Sequence, residues 1–438
     1  MLERLIEILV AASWLYWLAA CWMVRSFFRT RHRSAETGPG GFAPPVSVLK
    51  PVRGLDPEAY ENFESFCHQD YPDYEIVFGV DDEADPAVPL IRRLQREHPE
   101  RSIRLVVTET FGANRKASLL HHLTAAARHD ILVTSDSDMR VCPDYLRRVV
   151  APLADPGVGL VTCPYIGEHA ETLPARLEAL HMGVSFLPSI VVARRVISMR
   201  FAMGASIAFR RRDLERIGGW AAISDYLAED YQVGARVAAT GLKVHLSDYI
   251  MADILGATTF LDEWQREVRW ARCSRVSRPR EYPGLVLSFS VPLAVLLNVC
   301  FGFEPAHRQA LIVSLLVRWA VAWLVTGYTG DRESRRWLAW LPVRDLLTAL
   351  VWLAGGFGRR IVWRGEEYRL EAGGKMRPVH PVEEHQAAPG WAGARGPGVG
   401  LGGTMTVGLE EQGGEEDEAL EGGGEGTGWP ASPAVRHP

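Results

Sequence analysis

The chain has 438 residues, enough for about two or three domains of ordinary size. Its 48 Lys and Arg stand against 53 Asp and Glu, a formal net charge of −5, which lacks the basic excess of a nucleic-acid-binding protein. With 47% hydrophobic and 23% charged residues it is neither disordered throughout nor a pure membrane bundle.

Residues 6–24 form an apolar run with Trp14, Tyr16, Trp17 and Trp22. About 20 such residues cross a bilayer core. Glu3 and Glu7 stand where a signal peptide carries basic residues, so the run reads as a retained transmembrane anchor. Arg25, Arg29, Arg31 and Arg33 follow and place that flank in the cytoplasm. The anchor with its basic flank is residues 1–33, and residues 34–45 are a Gly/Pro linker.

Residues 46–283 read as a catalytic α/β domain. The apolar runs 46–49, 75–80, 103–107 and 131–134 are expected strands. Segments 57–68, 87–97 and 115–128 between them have helical character, with Asp85 before Pro86 expected as the cap of the second. This alternation predicts a mostly parallel sheet, whose ligands gather beyond the strand C-termini.

Polar residues cluster at those ends. Asp82 follows the second strand and suits a nucleobase or ribose hydroxyl. Asp136-Ser137-Asp138 follows the fourth, and its two carboxylates together with substrate phosphates suit Mg²⁺ or Mn²⁺. Glu229-Asp230 offers a carboxylate to deprotonate a hydroxyl, or simply an acidic helix start. In residues 265–270 (QREVRW), Arg266 and Arg269 share a helix face and suit diphosphate oxygens, or they snorkel at a bilayer surface. Trp270 offers an apolar acceptor wall. Residues 112–116 (GANRK) bring Asn114 and Lys116 near the nucleotide, or merely start a helix. His121, His122 and His181 have no metal-ligand spacing. None of the six cysteines forms a C-x-x-C pair, so they read as reduced thiols facing the cytosol.

Residues 284–371 form a membrane block. Runs 284–303 and 309–328 are each one bilayer long, and a third, 337–357, contains Arg344 and Asp345. Ionisable groups at membrane depth are costly and usually face a cavity or a partner; a mutual salt bridge or an interfacial helix are the plainer alternatives. Three full crossings would place Arg359, Arg360 and Arg364 on the wrong side for basic residues, so one run is expected to be re-entrant or interfacial, the third above all. The tail, residues 372–438, holds 17 of the 41 glycines, 10 acids and 4 bases, and reads as disordered.

The order D, D-x-D, ED, R-x-x-R-W and then a membrane block resembles the membrane-bound inverting glycosyltransferases of family 21, the ceramide glucosyltransferase group. Residues 48–54 (VLKPVRG), with Lys50, look like that family's nucleotide-side first strand and turn. Residues 60–72 (YENFESFCHQDYP), 143–150 (PDYLRRVV), 186–189 (FLPS) and 341–346 (LPVRDL) are most similar to its hopanoid-associated branch. The ceramide enzymes have His in the region around Phe186.

The resemblance implies a GT-A nucleotide-diphosphosugar transferase domain between an N-terminal transmembrane helix and C-terminal membrane helices. It implies a UDP-sugar donor, a divalent cation, a lipid acceptor and a multi-pass protein of the bacterial inner membrane with its catalytic domain in the cytoplasm. Asp230 would be the base. Lys50, Asp82, Asn114, Lys116, Asp136, Arg266 and Arg269 would serve the nucleotide-sugar, Asp136 and Asp138 the metal, and Trp270 and Phe186 the acceptor. The branch implies bacteriohopanetetrol as acceptor and UDP-N-acetylglucosamine as donor. A ceramide glucosyltransferase, a processive polysaccharide synthase and a non-catalytic sugar-nucleotide or lipid binder are the alternatives.

Overall fold

The computed structural model describes residues 1–29, 41–363 and 366–379. The four expected strands form as β1 (Val46–Pro51), β2 (Tyr74–Val80), β3 (Ser102–Val107) and β4 (Ile131–Ser135). They lie side by side, all parallel, in the order β3-β2-β1-β4. The sheet continues through β8 (Ser206–Arg210), β6 (Val158–Thr162) and β9 (Lys243–Leu246). Antiparallel β8 joins β4 to β6, so the seven-stranded sheet is mixed but mostly parallel. A second sheet of β5 (Met139–Arg140), β10 (Met251–Gly256) and β7 (Tyr165–Ala170) adjoins the end of β4.

Strands β1, β2 and β4 are buried on both faces, as parallel strands covered by helices must be. Helix α2 (Ala59–Ser65), α3 (Val88–Glu97) and α4 (Arg115–Ala126) follow β1, β2 and β3, as expected. Asp85 is not the N-cap of α3, which starts three residues later at Val88. Its two carboxylate oxygens accept the amides of Ala87 and Gly54, both at 2.8 Å, and so tie the turn after β1 to the turn after β2.

The anchor is a single helix, α1 (Leu2–Arg29). From Trp17 onward its buried face enters the same apolar cluster as Leu49, Val77, Leu120 and Leu132 of the sheet layer. Anchor, α/β part and membrane block therefore form one compact unit. Arg31, Arg33 and most of the Gly/Pro linker lie outside the described residues.

Among the described residues, four helical segments are long and apolar enough to cross a membrane: Leu2–Arg29, Leu173–Val196, Pro305–Thr329 and Leu338–Gly355. The second lies inside the region read as wholly catalytic, and its apolar face is spent on the interior. It consists of α5 (Leu173–His181) and α6 (Leu187–Val196), joined by a π-helical turn over Met182–Phe186. After α8 (Phe260–Ser277) the chain makes a 3₁₀ segment, Tyr282–Ser288, and bends by 80° into α9 (Ser290–Phe301).

Helix α9 is shorter than a bilayer core: its 12 residues rise about 18 Å. It enters beside Trp17, whose indole donates to the Ser288 carbonyl at 2.9 Å, and ends near Glu3. Helix α10 (Pro305–Thr329) turns there and runs back along α1, with Trp14 donating to Ser314 at 2.8 Å. Helix α11 (Leu341–Gly355) then packs on α8.

Arg344 and Asp345 do not pair with each other. Asp345 accepts two bonds from buried Arg318 of α10, both at 2.8 Å, and Arg344 donates to Glu267 of α8 at 2.5 Å. A helix studded with buried ion pairs to both neighbours is held as a wedge between them. Arg359 and Arg360 come back to the α/β side: Arg272 of α8 donates to the Arg360 carbonyl at 2.5 Å. Arg364 lies outside the described residues.

Two expectations about the C-terminus need correction. Residues after 357 do not stay with the membrane block, and the tail does not begin at Ala372. Strands β11 (Arg360–Trp363), β12 (Glu366–Leu370) and β13 (Met376–Pro378) form a third, antiparallel sheet. Ile361, Tyr368, Leu370 and Met376 supply the apolar face that composition alone did not reveal. Residues 380–438 of the tail lie outside the described residues.

Candidate active site

The polar ends of β1, β2 and β4 open on one edge of the sheet, and the site is built there. At the end of β1, Lys50 is fully buried, over the Phe66 ring at 3.8 Å. Its ammonium donates to the Asp136 carbonyl at 2.8 Å. Burial draws its pKa down to about 7, against the pull of Asp138, Asp136 and Asp56. Lys50 therefore does not line an open nucleotide surface; it props the turn that carries Asp136.

Helix α4 supplies the second cation. Asn114 caps it, accepting the Ala117 amide at 3.0 Å. Its side-chain amide donates to the Tyr226 carbonyl at 2.7 Å and to Glu229 at 2.9 Å. Asn114 is fully buried, so it too is a strut rather than a nucleotide contact. Lys116, in the first turn, bridges Asp136 at 2.5 Å and Glu229 at 2.8 Å. Those two carboxylates raise its pKa against the effect of burial.

Helix α7 (Glu229–Ala239) brings the acid pair. Asp230 accepts its neighbour's amide, from Tyr231, at 2.6 Å through one oxygen. The other oxygen faces Gly204: a methyl added to Gly204 would lie 3.4 Å from Asp230 Oδ2 and 3.5 Å from Asp136 Oδ2. Burial and the adjacent Glu229 push the Asp230 carboxyl up to about 7. A base poised there is matched to proton abstraction near neutral pH.

Asp138 lies two residues beyond Asp136, in the same turn. Its Oδ1 is buried with no hydrogen-bond partner. Burial and the charges of Asp136 and Asp56 push its carboxyl up to about 7. Asp253 on β10 is raised as well, by burial and then by Asp138. Crowded carboxylates with an orphaned oxygen fit a hard divalent cation. Asp56, which accepts from Ser137, closes the far side.

The remaining expected residues are spread more widely. Asp82 is exposed at the end of β2 and accepts the Ala84 amide at 2.9 Å, two strands from Asp136. Arg266 is not open to a diphosphate here: Glu178 of α5 and Glu263 of α8 both accept from it. Arg269 is half-buried and Trp270 exposed on the same helix. Phe186, in the π-helical turn, packs on Tyr165 with ring centroids 5.2 Å apart. The Tyr165 hydroxyl is pushed well up by burial and by Asp253, Asp230 and Asp136, so this aromatic pair borders the acids.

Sequence reasoning missed Asp253, Tyr165, Gly204 and Glu178. An ionisable residue inside an apolar strand, as in residues 251–256 (MADILG), was the available signal for Asp253. Gly204 and Glu178 had none, because their partners are distant in the chain.

Comparison with known proteins adds four observations. The sequence profile described as glycosyl transferase family 21 matches residues 5–376. Ceramide glucosyltransferase 1 of Caenorhabditis elegans is 24% identical over 368 residues, covering 80% of this chain and 76% of the worm protein. The beta-monoglucosyldiacylglycerol synthase of Synechocystis is 26% identical over 275 residues, covering 60% of this chain and 56% of that protein. Among solved structures, the mannosyltransferase PcManGT of Pyrobaculum calidifontis, in complex with GDP-Man and Mn²⁺, aligns with a TM-score of 0.44 and 22% identity over 81% of this chain and 99% of its own.

Proposed function

The chain belongs to glycosyl transferase family 21, and from that premise we propose that it transfers a sugar from a UDP-sugar to a membrane-lipid hydroxyl with inversion. The observation that carries this reading is the pair of carboxylates, Asp136 and Asp230, facing one point above Gly204. One suits the leaving side of an in-line displacement and the other the attacking side.

Asp230 takes the proton of the acceptor hydroxyl as the oxygen attacks the anomeric carbon. The bond from that carbon to the diphosphate breaks, and UDP leaves. Burial keeps the Asp230 carboxylate basic enough for the task. Lys116 holds Asp136 and Glu229 in place, which frees Asp230 from competing ion pairs. Asp136 and Asp138 would hold a divalent cation, which when bound neutralises the departing diphosphate. Asp82, on the adjoining strand end, serves the nucleoside. Arg269 serves the diphosphate, joined by Arg266 once it exchanges Glu178 and Glu263 for phosphate oxygens. Trp270 and Phe186 border the acceptor.

The lipid reaches the site along the helices that share its core. Arg25 and Arg29 sit at the end of α1 nearest the α/β part, and Arg359 and Arg360 return to the same side. The positive-inside rule assigns that side to the cytoplasm, at the bacterial inner membrane. The acceptor is a hopanoid such as bacteriohopanetetrol and the sugar N-acetylglucosamine, on the resemblance of residues 60–72, 143–150, 186–189 and 341–346. A second reading, a ceramide acceptor and glucose, is favoured by the likeness to the worm ceramide glucosyltransferase.

Mass spectrometry of lipid extracts from a bacterium making bacteriohopanetetrol, with and without this protein, tests the proposal. A hopanoid heavier by one N-acetylhexosamine supports it. A hexosylated ceramide on ceramide feeding, with no hopanoid change, replaces the acceptor and sugar. A long sugar polymer would point to a processive synthase, and UDP-sugar binding without UDP release to a binding protein.

A further inference from the structure

The third sheet lies past the membrane helices in the chain, yet it touches the two elements that carry the proposed chemistry. Helix α7 begins with Glu229 and Asp230 but has no side-chain cap of its own. The loop before it, residues 225–228, is instead held from outside. The Leu227 amide donates to the Gly374 carbonyl at 3.0 Å, and the Met376 amide donates to the Asp225 carbonyl at 2.7 Å. Within α7, Gln232 donates to the Gly373 carbonyl at 3.2 Å. The Leu227 side chain is buried among Ile361, Tyr368, Leu370 and Met376.

The opposite side of this sheet grips α8. Arg272, three residues past Arg269, donates to the carbonyls of Phe357 at 3.2 Å and Arg360 at 2.5 Å. Gly373 and Gly374 have φ of +78° and +89°, a conformation open to glycine that brings the turn against Ser277. A methyl on Gly374 would stand 3.2 Å from Ser277 Oγ. At the donor side, Arg115 links Glu366 of β12 to Asp81 at the end of β2, both at 3.2 Å.

We propose that the sheet β11–β13 is a positioning element: it sets the base-bearing start of α7 against the arginine-bearing helix α8, so the reacting groups are in register only when the C-terminal segment is docked. This rests on the reading of Asp230 as base. The membrane helices thereby belong to the catalytic assembly, because they deliver this sheet to the site.

The test is Met376→Pro in the full-length protein in lipid nanodiscs. The change removes the amide that donates to the Asp225 carbonyl, and Lys375 already has φ −66° and ψ 141°, which tolerates a following proline. Met376→Leu, which keeps the amide, is the control. A displacement of this kind lowers turnover by about 10²-fold, with UDP affinity in calorimetry unchanged and hydrogen exchange faster across residues 224–231. Met376→Leu should match the parent in all three. Wild-type turnover together with unchanged exchange in Met376→Pro overturns the proposal. Should that variant fail to fold, Gly374→Ala asks the same question with a smaller change. If the parent itself transfers no sugar, the functional reading fails separately, and exchange across residues 224–231 alone decides whether the sheet positions the loop.

Discussion

The carboxylates of Asp136 and Asp230 face each other across the bare backbone of Gly204, though 94 positions separate them in the chain. The turn after strand β4 carries one and helix α7 the other, and the Lys116 ammonium lies beside them. In the proposed mechanism the anomeric carbon and the attacking hydroxyl meet beside Gly204, which makes Gly204 a sharp probe. In Gly204→Ala the added methyl would press on the Lys116 ammonium, 3.1 Å away, and touch both carboxylate oxygens at ordinary contact distance. Turnover should fall by about 10²-fold, with the melting temperature nearly unchanged. Steady-state kinetics beside a thermal melt checks this.

Asp230→Asn should lower turnover by about 10²–10⁴-fold and leave UDP affinity intact, since in the proposed mechanism the side chain meets the acceptor. The pH dependence has a definite sign. The Asp230 carboxyl is raised to about 7, and a base acts only when deprotonated. Activity should therefore rise with pH through about 7 and be lost below it. A flat profile from pH 5.5 to 8 would remove Asp230 from the role.

Asp138→Asn separates metal binding from folding. Its buried Oδ1 has no partner to lose, so stability should hold or rise. Divalent-cation-dependent tightening of UDP binding should weaken markedly. Calorimetry with Mg²⁺ and with chelator reads the difference, and unchanged tightening would exclude Asp138 as a ligand.

Arg344→Met strands Glu267 in a site where both partners are almost wholly buried. Breaking such a pair from one side costs about 3–5 kcal/mol. Arg344→Met with Glu267→Leu should recover much of that loss, because the unpaired charge is gone. Thermal melts of the parent and the two variants in one detergent make the comparison.

Lys116→Met removes the one ammonium shared by Asp136 and Glu229. Asp136 then loses its ammonium donor and Glu229 one of its two donors, each at about 1–3 kcal/mol. Lower stability and weaker UDP binding should appear together, and the pair distinguishes this change from Asp230→Asn.

The local pattern of residues was enough for the anchor helix, the parallel half of the sheet and the strand-end acids. Runs such as 46–49, 75–80 and 131–134 are strands because contiguous β-branched and aliphatic residues suit a strand buried on both faces. Polar residues directly after them can only sit at the C-terminal edge. Those features depend on neighbours within a few positions, and the sequence carries them openly.

Everything that depends on a distant partner was decided by packing. Lys50 and Asn114 have the chemistry of ligand contacts, yet the close fit of β1 against Phe66 and of α4 against the Tyr226 loop turned both into buried struts. Arg344 and Asp345 stand side by side but chose Glu267 and Arg318, because a helix points adjacent side chains about 100° apart. Strands β11–β13 became a sheet only where the returning chain offered Leu227 an apolar face. Sequence determined which groups are present and which local shapes they favour. Tertiary structure determined which of them meet, since burial and charge pairing are properties of the assembled chain.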